Sequence, residues 1–169
     1  MAFRIPRAED GPAVSALIAG CPPLDTNSAY CNLLQCTHFA DTSVVAERDG
    51  ALVGWVSGYR LPTAPEQLFV WQVAVHESAR GTGLGGRMLD HLIARPSAHH
   101  VGEILTTITD ANAASWALFT SFARRHGAHL ARRPMFDRDA HFAGAHETEH
   151  LVSIGPLAGN TSSSRQEIA

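Results

Sequence analysis

Apolar and polar positions along this 169-residue chain change period several times, and each change marks an element. Phe3-Arg4-Ile5 reads as a short strand. Residues 8–19 carry Val14, Leu17 and Ile18 on one helical face. Cys21-Pro22-Pro23-Leu24 breaks that pattern, and Asp25-Thr26-Asn27-Ser28 offers cap residues for a helix through Tyr30, Leu33, Leu34 and His38. Residues 43–47 read as a strand. Asp49-Gly50 is a hairpin turn, residues 52–59 are the return strand, and Pro62 and Pro65 end it.

Residues 68–75 form an unbroken apolar run, interrupted only by Gln72, as a strand buried on both faces would. A helix with Met88, Leu89, Leu92 and Ile93 follows and stops at Pro96. Residues 103–109 make another strand. Asp110-Ala111-Asn112 introduces a helix through Trp116, Phe119 and Phe122 that closes near Gly127. Residues 128–135 and 147–154 read as two last strands, and 159–169 as a polar, low-complexity tail. The order predicts an α+β fold, a mixed central sheet flanked by helices. One domain spans residues 1–157, and a disordered tail is expected over 158–169.

Between the apolar strand and its helix lies Arg80-Gly81-Thr82-Gly83-Leu84-Gly85-Gly86-Arg87. A strand, a glycine-rich turn and a helix start point several backbone N–H groups at one spot. The helix dipole adds positive potential there, which suits phosphate oxygens. Gly81, Gly83 and Gly86 fit G-x-G-x-x-G, but a dinucleotide site wants an acid at the end of the next strand. The only acid in 103–109 is Glu103, at the start. A P-loop needs Gly-Lys-Ser/Thr, and Gly86 is followed by Arg87-Met88. A bare turn without ligand is a further alternative. The remaining pattern is Arg/Gln-x-x-Gly-x-Gly/Ala, carried by Arg80, Gly83 and Gly85.

Composition narrows the picture. Apolar residues make up 45%, ample for a core. A net charge of −3 gives no electrostatic case for nucleic acid or an anionic membrane. The chain has no run of 18 apolar residues and no signal-peptide core. Cys21, Cys31 and Cys36 are odd in number and lack C-x-x-C spacing, so they read as reduced thiols, and the expected location is the cytoplasm.

The Arg80–Gly85 pattern and the element order resemble the GNAT superfamily of N-acetyltransferases. Asn112, Ser115 and Leu118-Phe119 match the spacing of that family's second motif, N-x-x-[AS]-x-x-L-[YF]. Pro22-Pro23-Leu24-Asp25-Thr26-Asn27-Ser28-Ala29-Tyr30 and Phe69-Val70-Trp71-Gln72-Val73-Ala74-Val75 are not general features of it. They resemble the L-2,4-diaminobutyrate acetyltransferases of ectoine synthesis, over roughly residues 3–157. The resemblance implies acetyl-CoA as co-substrate, a small diamino acid as acceptor, no metal, and a homodimer.

It also implies roles. The backbone from Arg80 to Arg87, including Thr82 and Leu84, would hold pyrophosphate. Backbone groups of Gln72, Val73, Ala74 and Val75 would pair with pantetheine, with an N–H at Val73 facing the oxyanion. Asn112, Ser115 and Phe119 would border the cofactor, although Asn112 also reads as a plain helix cap. Asp25 and Glu149 would bind substrate cations, or be a cap and a solvated strand residue. Asn27, Trp71, Thr106 and Thr107 would line the substrate, Trp71 alternatively being an ordinary core residue and the threonines ordinary strand residues. The fourth strand carries no acid to serve as base. The helix position that often supplies a tyrosine acid is Phe119, without a hydroxyl, so Tyr30 is the expected donor to the thiolate.

His146-Glu147-Thr148-Glu149-His150 satisfies H-E-x-x-H, but that zinc signature works on a helix. Here it runs into β-branched Val152 and Ile154, and in a strand the two histidines would lie about 13 Å apart.

Overall fold

The Asp49-Gly50 hairpin shows how local chemistry starts the sheet. Both residues take left-handed backbone, φ 54° and 79°, as a tight hairpin requires. They join β2 (Val44–Arg48) to β3 (Ala51–Leu61). The computed structural model describes residues 1–157; the expected tail at 158–169 lies outside the described residues. β1 (Ala2–Arg4), β4 (Ala64–Val75), β5 (Glu103–Thr109), β6 (His129–Phe136) and β7 (Glu149–Gly155) complete a seven-stranded sheet. Its order is β1-β2-β3-β4-β5-β7-β6, so β7 slots between β5 and the edge strand β6. The β4–β5 pair is parallel and the other pairs are antiparallel.

Helices α1 (Gly11–Ala19) and α2 (Ala29–Thr37) cover one face of the β2–β4 half. There Val14, Ile18 and Cys36 pack on Val45, Trp55 and Ala74. Helices α3 (Leu84–Ile93) and α4 (Ala113–Arg125) cover the other face. Met88, Leu89, Phe119 and Phe122 meet Leu68, Val70, Ile104 and Val152 in this larger core. Phe122 is fully buried, so truncating it to alanine is expected to cost about 3–5 kcal/mol. No helix among the described residues is long and apolar enough to cross a membrane.

Two features of β4 matter for function. Opposite Ser57 and Gly58 stand Gln72 and Val70, so Trp71 is an extra residue, a bulge. It interrupts the alternation of faces. Leu68 and Val70 pack toward α3 and α4 before the bulge, as Val73 and Val75 do after it, whereas Ala74 faces α1. Second, β4 pairs with β5 only from Gln67–Glu103 to Phe69–Leu105. Beyond Phe69 the two strands part, and the remainder of β4 leaves its backbone edge unpaired on that side.

The expected elements are present, with shifted boundaries. Pro65 does not end a strand but lies inside β4; β4 pairs irregularly with β3 there, which spares proline's missing donor. Of the cap residues offered by Asp25-Thr26-Asn27-Ser28, Ser28 caps the second helix, its Oγ accepting from Cys31 N. A short helix, α5 (Arg138–Phe142), follows β6 and has too few apolar positions to show a period.

Candidate active site

The glycine turn adopts the conformation its composition permits. Gly81 and Gly83 have φ near +74° and +73°, where a Cβ is disfavoured, and Gly83 is the N-cap of α3. The first intrahelical bond runs from Arg87 N to Gly83 O at 3.1 Å. The N–H groups of Leu84, Gly85 and Gly86 therefore have no helical carbonyl to meet. The Arg80 side chain does not face this turn. Its Nε donates to Val75 O at 3.1 Å and its Nη2 reaches Gly20 O at 3.5 Å, clamping the loop to β4 and α1.

A groove of about 430 Å³ opens on this turn. Val73, Val75, Arg80, Gly81, Gly83, Leu84, Gly85, Gly86, Asn112 and Ser115 line it, with Ala79, Ala114 and Leu118. A Cβ at Gly85 would stand 3.3 Å from Leu118 Cδ1, so Leu118 would have to shift by a few tenths of an ångström to admit one. Asn112 is both cap and lining, its Oδ1 accepting from Ser115 N at 3.1 Å. The groove's other rim is Cys21, Pro22, Pro23 and Leu24.

A second cavity of about 580 Å³ lies on the opposite face of the sheet, beyond the cover of α1 and α2. Tyr59, Phe69 and Trp71 pave one side, with ring centroids 5.3 Å apart for Tyr59–Phe69 and 6.3 Å for Tyr59–Trp71. Leu105, Thr107, Leu151 and Ser153 form its floor; Arg133, Met135 and Phe136 close the far side. Val73 faces one cavity and Trp71 the other, on either side of the bulge.

The segment between α1 and α2 is tied to that bulge. Gln72 Nε2 donates to Asp25 O at 2.6 Å, and Gln72 Oε1 accepts from Asn27 Nδ2 at 2.8 Å. Asn27 Nδ2 also donates to Asn32 Oδ1 at 3.2 Å, and Asn32 to Ser15 Oγ at 2.8 Å. Asn27 sits at φ 55°, a left-handed conformation that asparagine tolerates. Asp25 is exposed. One carboxylate oxygen accepts from Asn27 N at 3.2 Å, and the other has no partner among the described residues.

Several expected positions need correction. Thr106 is 4% exposed and shares the core face of β5 with Ile104 and Ile108; Thr107, one step on, lines the cavity. Phe119 is 2% exposed and packs in the core, and Leu118 takes its place at the groove. Arg87 and Thr82 lie outside the groove's lining, the Thr82 hydroxyl donating to Ala79 O at 2.7 Å. Gln72 and Ala74 send their side chains to the α1 face, leaving only their backbone near the parted strands. Tyr30 is 70% exposed on the first turn of α2 and borders neither cavity. Trp71 is no core residue, being 45% exposed. Glu149 lies on the cavity face of β7 with Leu151 and Ser153, one position beyond the lining.

The sequence carried signals for some of what was missed. Glu103 at the head of β5 implies that Leu105 and Thr107 share its face. Nothing local marked Tyr59, Arg133 or Phe136, which reach the cavity through strand pairing. His146 lies outside any helix and His150 lies in β7, and no three His, Cys, Asp or Glu residues cluster among the described residues.

A mixed sheet opened beyond Phe69, with a glycine turn feeding α3 beside the opening, is the arrangement of an acyl-CoA N-acyltransferase fold. The acetyltransferase (GNAT) family model matches residues 14–123, and the chain belongs to that family. Within it, the chain is 54% identical to the L-2,4-diaminobutyric acid acetyltransferase of Methylotuvimicrobium alcaliphilum, over 90% of this chain and 88% of that one. The enzyme of the same name from Vibrio cholerae is 49% identical over 94% and 91%. Among solved structures, diaminobutyrate acetyltransferase EctA from Paenibacillus lautus, in complex with L-2,4-diaminobutyric acid and coenzyme A, superposes with a TM-score of 0.89. It is 38% identical and covers 95% of this chain and 98% of that one.

Proposed function

We propose that the protein transfers the acetyl group of acetyl-CoA to the side-chain amine of L-2,4-diaminobutyrate, giving N4-acetyl-L-2,4-diaminobutyrate. The observation that carries this reading is the pair of cavities on opposite faces of the sheet, lined by Trp71 and by Val73 of β4 just past its last pairing with β5. Two substrates can approach one point from opposite faces of the sheet, the thioester from the glycine-turn side and the amine from the aromatic side. The relatives' substrate supports the choice of amine.

The free N–H groups at the start of α3 hold the pyrophosphate of CoA, and Asn112 and Ser115 border its pantetheine arm. The unpaired edge of β4 from Gln72 to Val75 pairs with pantetheine. A backbone N–H, assigned to Val73, takes the charge that develops on the carbonyl oxygen. A primary amine of pKa about 10.4 is mostly protonated near neutrality, so it must lose a proton before attack. The part of β4 that runs beside the opening, from Val70 to Val75, offers no acid, and water performs that step, with Asp25 and Glu149 holding the cationic ends of the substrate over Trp71. The nitrogen attacks the thioester carbon, and the carbon–sulfur bond breaks as the tetrahedral intermediate collapses. Tyr30, exposed on the first turn of α2 and outside both cavities, is the proposed donor to the departing thiolate and would have to swing inward to reach it. The setting is a homodimer in the cytoplasm, making a precursor of the compatible solute ectoine.

Thiol release from acetyl-CoA, measured across diaminobutyrate, ornithine and simple diamines, tests the reading. Diaminobutyrate should give the highest kcat/KM and the N4-acetylated product. Preference for ornithine would replace the acceptor, and binding of acetyl-CoA without turnover would make the protein a sensor. Light scattering should give twice the chain mass.

A further inference from the structure

Adjacent arginines on β6 meet opposite fates. Arg132 faces α4, where its guanidinium lies 3.1 Å from Asp110 and 5.3 Å over the Trp116 ring. Arg133 points to the other face, into the aromatic cavity, and its guanidinium has no hydrogen-bond or ion-pair partner among the described residues. It is the sole basic residue of that lining. The sole acid there, Glu103, sits at the far end of the strands and accepts from Gln67 Nε2 at 2.7 Å.

Strand register places Arg133 on the line of the reaction. Arg133 pairs with Leu151, and Leu151 with Thr107, at the level where β4 has parted from β5. Two strand spacings, about 10 Å, separate the backbone of Arg133 from that of Thr107. An extended arginine crosses more than one of them. A 2,4-diamino acid spans about 5 Å from carboxylate carbon to side-chain nitrogen, four bonds of about 1.5 Å in zigzag. With that nitrogen at the parted strands beside Trp71, the carboxylate falls over Thr107 and Leu151, within reach of the guanidinium.

We infer that Arg133 receives the α-carboxylate of the acceptor and sets the enzyme's preference for a diamino acid over a plain diamine. The inference rests on the function proposed above. A planar guanidinium matches a carboxylate with two parallel hydrogen bonds, and the exposed Arg133 side chain is flanked by the apolar Met135, Phe136 and Leu151. Asp25 and Glu149 then serve the ammonium groups, so each charge of the substrate meets its opposite.

The test compares L-2,4-diaminobutyrate with 1,3-diaminopropane, the same chain without the carboxylate. The wild type should favour the diamino acid in kcat/KM by tenfold or more. Arg133→Gln should collapse that ratio, chiefly through a higher KM for the diamino acid, and Arg133→Lys should restore part of it. Light scattering and thermal unfolding of the variants should match the wild type. An unchanged ratio in Arg133→Gln, or equal losses on both amines, overturns the inference and leaves the acetyl transfer standing. A wild type that acetylates neither amine overturns the proposed function itself.

Discussion

The Nδ2 amide of Asn27 donates to Oε1 of Gln72 at 2.8 Å, across 45 positions of sequence. This bond, with that from Gln72 to Asp25 O, fixes the segment between α1 and α2 against the bulge of β4. It accounts for a glutamine inside the otherwise apolar run 68–75. Gln72 is a positioning residue that holds the backbone of Asp25 and the amide of Asn27 against β4.

Gln72→Leu should therefore raise KM for the amine at least tenfold, as Asp25→Asn and Glu149→Gln should. Losing two buried partners costs about 1–3 kcal/mol of stability. Calorimetric titration of CoA should show nearly unchanged affinity. A fall in CoA affinity equal to the rise in amine KM would count against a positioning role.

The glycine turn makes a second prediction. Gly83→Val forces a β-branched residue to φ +73°, and Gly85→Val presses on Leu118 across the groove. Acetyl-CoA affinity should drop tenfold or more in each, about 1.4 kcal/mol. Unchanged affinity in a folded variant would remove the turn from the cofactor site.

Tyr30→Phe tests the proton donor. A positioned acid is worth roughly 10² to 10⁴ in rate. We expect kcat to fall about a hundredfold with acetyl-CoA affinity unchanged. Near-normal kcat, when chemistry limits the rate, would assign the proton to water, which the moderate basicity of a thiolate allows.

Stability in acid should depend on Asp10. Arg4 Nη1 and Nη2 donate to its carboxylate at 2.7 and 2.8 Å, and Arg7 N adds a third bond at 2.7 Å. Chiefly through the Arg4 hydrogen bonds, its carboxyl is held below the usual range. A lowered folded value means the unfolded chain takes the proton first. The contribution is complete above the unfolded value of about 3.9 and lost as pH falls through the folded one. The Tm gap between wild type and Asp10→Asn should be widest above about pH 5 and narrow below about pH 4. A gap constant with pH would refute the linkage.

The sequence by itself determined what short-range chemistry encodes. The glycine turn announced a phosphate-binding helix start because left-handed backbone and close approach demand glycine at fixed offsets. Asn112 announced a helix cap, and the apolar run 68–75 announced a central strand. Motif spacing was enough to indicate the transferase family.

What the tertiary structure decided was which face each residue serves. In a strand apolar on both sides, periodicity cannot tell core from cavity, and a bulge appears only when the partner strand is present. Trp71 and Gln72 owe their place on one face to that extra residue opposite Ser57 and Gly58. Of the two threonines offered by β5, Thr107 faces the cavity and Thr106 the core, and Leu118 displaced Phe119 from the groove by a single step along its helix. Arg133 entered the cavity because β7 inserts between β5 and β6, a pairing of distant segments that no local pattern records.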